Sequence, residues 1–431
     1  MKTGMKIIII IIIVSAFIPV THAIEPTWKF ATGGATLGTP AISSDGSTII
    51  VPAGKIFLFS KNGSLVATEP YGSAVAMTPD GQNLASSFAS TVYFFKVFSS
   101  QNPADKKSLT KIWQYEFPDQ IRSIGISDDG TTILAATRSM GEYTFDTASE
   151  ELASNDDDYN PLIAFFGEEN RIIGISRDQV RIYNNELAPL DAYDITTSST
   201  PTTMILPRSG EIIIFNDGQR IRCVDNRENG TELWSRPIAG FVSVIASTPG
   251  GSPIIIGTET GYIDTFNLAG DRLWNYSSNP QKKQSSGITG IALSSDGKII
   301  AAGTFDGKII WFDSDGNILG SYSAKDRIRH IAVSSDGSMT VATGDNAIYA
   351  FSSDILQFPD VNRQSLTSFN STTDQGTVSQ TPNQSVEFIH PTSPAILEES
   401  SVIRTPTQSA QFGFAGILAV FLAIMIFYKR K

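Results

Sequence analysis

Residues 288–322 read ITGIALSSDGKIIAAGTFDGKIIWFDSDGNILGSY, four short apolar-alternating runs held apart by polar pairs. Ile291-Ala292-Leu293 runs to Asp296-Gly297, Ile299-Ile300-Ala301 to Asp306-Gly307, and Ile309-Ile310-Trp311-Phe312 to Asp315-Gly316, after which Ile318-Leu319-Gly320 follows. Alternation of this kind marks half-buried strands. Asp-Gly between such runs marks hairpin turns, because Gly takes the positive φ and the Asp carboxylate bonds the turn backbone. The unit predicts an antiparallel four-stranded meander.

Variants of it fill most of the chain. The turn between first and second strand recurs at Asp45-Gly46, Asp80-Gly81, Asp129-Gly130, Glu169-Asn170, Ser209-Gly210, Gly250-Gly251, Asp296-Gly297 and Asp336-Gly337. Successive turns lie 35, 49, 40, 40, 41, 46 and 40 residues apart. That spacing centres on the period of about 40 to 45 expected of one four-stranded propeller blade. Departures fall on insertions outside the strands, such as residues 99–109, and the unit at Glu169-Asn170 is degenerate. The expected fold is all-β, an eight-bladed β-propeller of four-stranded antiparallel blades over residues 24–354.

The last unit offers three strands, residues 328–334, 339–343 and 347–351, and then fades into Ser352-Ser353-Asp354. Near the start, Trp28-Lys29-Phe30 is a strand without a partner, similar to the fourth strands around Trp113, Trp234 and Trp274. A ring of blades keeps two exposed sheet edges unless the chain ends share a blade. Residues 27–31 are therefore expected to complete the last sheet, with Ile355-Leu356-Gln357-Phe358 as the rival for that slot. Four of the five tryptophans hold the fourth-strand position. An indole there covers the seam between sheets and docks its N–H on a backbone acceptor.

Composition adds the surroundings. With 32 basic and 43 acidic residues the net charge is -11, a sign that repels phosphate backbones and argues against nucleic acid as a partner. Cys223 is the only cysteine, so an intramolecular disulfide is excluded and the residue reads as a small buried hydrophobe. Residues 1–23 read as a secretory signal: Lys2 and Lys6, an apolar stretch over 7–18, and Thr21-His22-Ala23, with cleavage expected after Ala23. An uncleaved anchor is the alternative, although that apolar stretch is short for a hydrocarbon core of ~30 Å. Residues 412–428 are uncharged and apolar and precede Lys429-Arg430-Lys431, which predicts one C-terminal transmembrane helix with a cytoplasmic basic tail, residues 429–431. Between them, residues 355–411 are rich in Ser, Thr and Pro and predict a disordered stalk. Asn62, Asn229, Asn275, Asn370 and Asn383 open sequons, candidate N-glycosylation sites in a chain exported to the cell surface.

The segment from Ser294-Ser295-Asp296-Gly297 through Ile310-Trp311-Phe312-Asp313 resembles a WD40 repeat lacking its Gly-His pair. Val224-Asp225 with Asn229-Gly230-Thr231-Glu232-Leu233-Trp234 resembles the tryptophan-docking repeats of quinoprotein (PQQ)-like propellers. Both likenesses concern the skeleton of a blade and extend over roughly residues 26–354. The tail resembles the tripartite sorting signals of archaeal cell-surface proteins, with Gln411-Phe412-Gly413-Phe414 where one such family has Pro-Gly-Phe. The proline is missing, so a retained anchor is expected, with processing by an archaeosortase-type enzyme as the alternative. Kinship with quinoprotein dehydrogenases would imply a vicinal cysteine pair near the quinone and a carboxylate-bound calcium ion at the axis. One cysteine cannot form that pair, and no cofactor is expected.

Candidate chemistry is sparse. His22 lies in the signal, His390 in the stalk and His330 in the propeller, so no multi-His metal site and no His pair for acid–base work can form within one domain. Asp313-Ser314-Asp315-Gly316-Asn317 opens like a calcium loop but lacks the distal Glu and sits where a hairpin must turn. No Gly-x-Ser-x-Gly elbow is present. The expectation is no catalytic residue, no metal site and no enzyme. Function in propellers lives in the loops that enter each first strand and join the second strand to the third. Here those loops contribute Arg122, Arg138, Arg177, Asp217, Arg220, Asp306, Asp326, Arg329 and Asp345. Mixed charge of this kind suits recognition of a protein or glycan partner by a monomeric propeller held at the membrane. A quinoprotein-like oxidoreductase and an extracellular small-ligand sensor are the alternatives, the sensor requiring a deep apolar axial pocket.

Overall fold

The computed structural model describes residues 24–34, 38–70, 72–98, 107–148, 152–155, 162–166, 170–278 and 286–356. Their strands form eight four-stranded antiparallel sheets, the blades of a β-propeller. In chain order the blades span residues 41–70, 74–116, 121–155, 162–194, 204–237, 242–277, 288–323 and 328–352, the last completed by Trp28–Ala31. First strands approach one another around the ring, with Ile328–Val333 of blade 8 meeting Ala41–Ile42 of blade 1. They therefore line the axis.

Second strands are rich in apolar and small residues and are buried along most of their length, as in Thr48–Pro52, Thr132–Thr137 and Ile300–Thr304. Each lies between two neighbouring sheets and hides both faces, which is why alternation disappears there. Outer strands such as Leu65–Pro70 and Thr231–Pro237 keep exposed positions. The core is divided among the seams: Ile49, Val51 and Phe59 of blade 1 pack on Val341, Ile348 and Ala350 of blade 8. Cys223 is fully buried in the seam between blades 5 and 6, and burial pushes its thiol up to about 12.

Two local devices repeat. In the first turn a hydroxyl donates to the Asp two residues on: Ser43 to Asp45 at 2.6 Å, Thr78 to Asp80 at 2.5 Å, Ser127 to Asp129 at 2.7 Å, Ser294 to Asp296 at 2.7 Å and Ser334 to Asp336 at 2.6 Å. Each Asp also accepts the backbone N–H two residues further on, which satisfies the tight turn from within. The second device is the docked indole. Trp28 Nε1 donates to Lys61 O at 3.0 Å, Trp113 to Thr147 O at 3.5 Å, Trp234 to Leu268 O at 2.8 Å and Trp274 to Ser314 O at 3.0 Å, each on the next blade. Tyr193 takes the same place on blade 4, its hydroxyl 2.8 Å from Asn226 Oδ1. The receiving turns need glycine: at Gly316 φ is +85° and a Cβ would lie 2.6 Å from the Trp274 ring.

Closure follows the expected route. Trp28 pairs with Ala350, Lys29 with Tyr349, Phe30 with Ile348 and Ala31 with Ala347. The rival segment turns away as a 3-10 turn, Ser353–Ile355, and Leu356 is buried in the adjoining cluster, while Gln357 and Phe358 lie outside the described residues. One expectation needs correcting. Ser108 and Leu109 belong to the outer strand Ser108–Glu116, where Leu109 pairs with Val97 and is buried, so the insertion of blade 2 ends before them.

Among the described residues no helix is long and apolar enough to cross a membrane. The expected signal (1–23), most of the stalk, the C-terminal span (412–428), the basic tail, Asn370 and Asn383 all lie outside those residues.

Candidate functional site

Four first strands carry a bulge at the same height. Their register against the second strand slips between Ile121 and Ser123, Val242 and Val244, Ile288 and Gly290, and Ile328 and His330. The supernumerary residues are Arg122, Ser243, Thr289 and Arg329. A bulge takes a residue out of the ladder and re-aims its side chain. Ser243, Thr289 and Arg329 come together in one cleft of about 540 Å³ on the face that carries the loops entering blades 6 to 8, here the upper face. Ile288 and Ile328 form its buried wall, and Phe305 and Glu259 are its exposed rim.

The basic side of the cleft is pre-arranged. Arg329 Nε donates to Asp345 Oδ1 at 2.7 Å, and Arg327 Nη2 reaches the same oxygen at 3.2 Å. Burial pushes the Asp345 carboxyl up, but the bonds and charges of the two guanidiniums outweigh it and hold the group below its ordinary value. Arg327 also lies over the Phe305 ring, 4.8 Å from its centroid. His330 Nδ1 lies 3.1 Å from Thr39 Oγ1, and burial together with the Arg329 charge pushes its pKa down, so the imidazole is neutral near pH 7. Ser243 Oγ donates to Ile288 O at 2.6 Å and ties blade 6 to blade 7 beneath the cleft.

The nine residues expected on this face divide by role. Arg329 and Asp345 form the cleft's ion pair. Asp326 holds blade 8 together, accepting from Asn346 Nδ2 and from the Tyr349 hydroxyl at 3.0 Å each. Asp217 is buried and accepts from the Ser198 hydroxyl and from the Ser198 and Ser199 N–H groups, so it braces the loop entering blade 5. Asp306 accepts from Thr304 Oγ1 at 2.6 Å inside its own turn. Arg122 pairs with the buried Glu142 at 3.3 Å and lines a separate cavity of about 520 Å³ with Leu162, Ala164 and Met204 on blades 3 to 5. Arg220 donates to Ser235 Oγ at 2.8 Å, while Arg138 and Arg177 are exposed and belong to neither cavity. Sequence reasoning missed Arg327, Phe305, Glu259, Thr289 and Ser243. The basic run Arg327-Ile328-Arg329-His330 was the one visible signal.

On the opposite, lower face the first turns are stitched by backbone bonds: Ser44 N to Pro79 O at 2.7 Å, Arg208 N to Pro249 O at 2.8 Å, Ser295 N to Ser335 O at 2.8 Å and Asp336 N to Ser44 O at 2.9 Å. Arg208 pairs across blade 4 with Asp128 at 2.6 Å. Among the described residues no group of three or more His, Cys, Asp and Glu is placed to hold a metal ion.

Comparison with known proteins agrees on the architecture. The family described as the anaphase-promoting complex subunit 4 WD40 domain matches residues 253–336, a span that includes the WD40-like segment beginning at Ser294. Similar solved structures include Sqt1 of Chaetomium thermophilum bound to the N-terminus of ribosomal protein L10, at 13% identity and a TM-score of 0.65, covering 76% of this chain and 99% of that one. Saccharomyces cerevisiae Sqt1 follows at 12% identity, TM-score 0.62 and 77% and 99% coverage. The C-terminal WD40 domain of Sif2 is similar at 12% identity and TM-score 0.63, over 79% of this chain and 99% of that one. No curated protein sequence matches the chain.

Proposed function

We propose that this propeller is a non-catalytic binding module that presents the upper-face cleft of blades 6 to 8 to a protein partner, outside the cell and on a membrane-anchored stalk. One observation carries the reading: an exposed Phe305, overlaid by Arg327, stands beside the shared Arg327–Asp345–Arg329 pairing at the mouth of a part-buried cleft. Aromatic and arginine anchors in partly desolvated pockets carry most of the energy at protein interfaces. Phe241, also exposed, extends the apolar rim, since its carbonyl accepts the Glu259 N–H at 3.0 Å. Propellers of the same fold support the reading, one of them bound to a segment of a ribosomal protein. The placement outside the cell rests on the leader, stalk and anchor read from sequence.

Crosslinking on intact cells tests it. The partner captured by the native chain should be lost about thirtyfold in Phe305→Ala, the scale of a ~2 kcal/mol anchor. It should be retained in Arg138→Ala, which alters an exposed residue outside the cleft. Equal capture by all three chains would overturn the assignment of this face.

A further inference from the structure

Charge and hydrogen bonding in the cleft are both incomplete. Two guanidiniums share one carboxylate, and both reach the same oxygen, Asp345 Oδ1. His330, neutral near pH 7, adds no charge. The basic side therefore carries one positive charge in excess, on a molecule whose net charge is -11. Arg327 Nε and Thr289 Oγ1 are buried and have no hydrogen-bond partner among the described residues, and both belong to residues lining this cleft. A buried donor left unpaired is destabilising, so an acceptor admitted to the cleft would relieve it. Phe305 supplies apolar surface beside them.

Glu259 sets the other limit. It stands exposed on the rim and pairs with no cation among the described residues. A single excess positive charge opposite a free carboxylate suits one monoanion and disfavours a dianion or a run of acids.

We propose that the cleft reads a single carboxylate presented by a peptide, either a Glu or Asp side chain or a free C-terminus. Arg327, Arg329 and the Thr289 hydroxyl donate to it, and Phe305 packs on the neighbouring residue. Guanidinium donors suit this role because they offer several fixed N–H groups to a planar carboxylate. The inference rests on the protein-binding reading and names the feature of the partner that is recognised.

Fluorescence anisotropy with the full-length chain in detergent micelles tests it against four labelled peptides of one Gly/Ser/Leu sequence. The first carries an internal Glu and an amidated end, the second a free C-terminus and no acidic side chain, the third an internal phosphoserine, and the fourth is neutral and amidated. One of the first two should bind about tenfold or more above the neutral peptide, and which one does so identifies the source of the carboxylate. Arg327→Gln and Arg329→Gln should each abolish the gap. Glu259→Gln, at an exposed position, should widen it and keeps the test decisive if an arginine variant fails to fold. No preference for either carboxylate peptide, a preference that survives both arginine variants, a gap unmoved by Glu259→Gln, or tighter binding of the phosphoserine peptide would each overturn the inference. If Phe305→Ala still abolishes partner capture in that event, the binding-module reading stands and the carboxylate reading alone falls. Capture indifferent to Phe305 removes both.

Discussion

At the scale of single residues, the repeats are held by a few atoms whose contributions can be separated. Gly316 and Gly54 both have positive φ, +85° and +69°, but a Cβ at Gly316 meets the Trp274 ring while at Gly54 nothing lies within 4 Å. Strain alone should make Gly54→Ala cost about 1 kcal/mol. Gly316→Ala also displaces an indole that donates to Ser314 O, so a loss of about 3 kcal/mol is expected in denaturant unfolding. Equal losses would show that the docked ring yields freely. The turn aspartates give the fold a defined acid limit. Burial pushes Asp129 and Asp296 up, but hydrogen bonds from Ser127, Thr131 and Asn170 in one case, and from Lys298 and Ser294 in the other, hold both at about 2. The unfolded value is about 3.9, so the stability they contribute is complete above about pH 4 and is lost as pH falls through about 2. The melting temperature should be flat from neutrality to about pH 4 and then drop, with a shallower drop in Asp296→Asn; an unchanged acid limb in that variant would assign the loss to other groups.

Among the elements, the strand Trp28–Ala31 decides whether the ring has edges. Phe30 packs 5.1 Å from Phe59 and 5.5 Å from Phe57 across the seam to blade 1, and Trp28 lies 5.1 Å from Phe59. Trp28→Ala should cost about 3 kcal/mol, at the lower end for buried aromatic truncation, since the ring is only partly buried. Removal of residues 24–31 uncovers the edge of Ala347–Ser352, and unpaired edges recruit other chains. Light scattering should then show oligomers for the truncated chain and a monomer for the intact one, and a monomeric truncated chain would mean that closure depends on something else. This element was legible from Trp28-Lys29-Phe30 because a tryptophan strand without a partner and a last unit short of one strand answer each other. The bulges were not. One supernumerary residue among apolar neighbours, as in Arg327-Ile328-Arg329-His330-Ile331, leaves period two locally plausible, yet it decides which side chain faces the axis. Outer strands slip in the same way at six blades, in blades 2, 5 and 6 just before the docking tryptophan. Tyr193 hid blade 4's docking position because a phenol does there what an indole does elsewhere.

For the whole molecule, the ring turns loops distant in sequence into neighbours, and this limits what a linear reading can find. Arg329 and Asp345 were within reach because they sit in one blade. Thr289, Phe305, Glu259 and Ser243 come from two others, and only the curvature of the ring brings them to the same cleft. Asp217, Asp306 and Asp326 share the loops but are consumed in bracing them, a difference that residue type alone does not reveal. The same geometry separates the cleft from the sequons. Asn62 and Asn229 occupy exposed turns between third and fourth strands, and Asn275 is exposed on the outer strand Arg272–Ser277, so all three lie on the rim or toward the lower face. Glycans there would leave the upper face clear for a partner. Asn62 is the least available, since its side-chain oxygen accepts from Ser60 Oγ at 2.6 Å and from the Ser64 N–H. If the propeller is displayed outside the cell, intact-mass measurement of the chain from its native membrane should show glycan heterogeneity. That heterogeneity should shrink stepwise in Asn229→Gln and Asn275→Gln, while cleft variants such as Glu259→Gln leave it untouched. Protease added to intact cells should reach the propeller in the same preparation. Unmodified sequons together with full protection from protease would place the propeller on the other side of the membrane and leave the cleft to an intracellular partner.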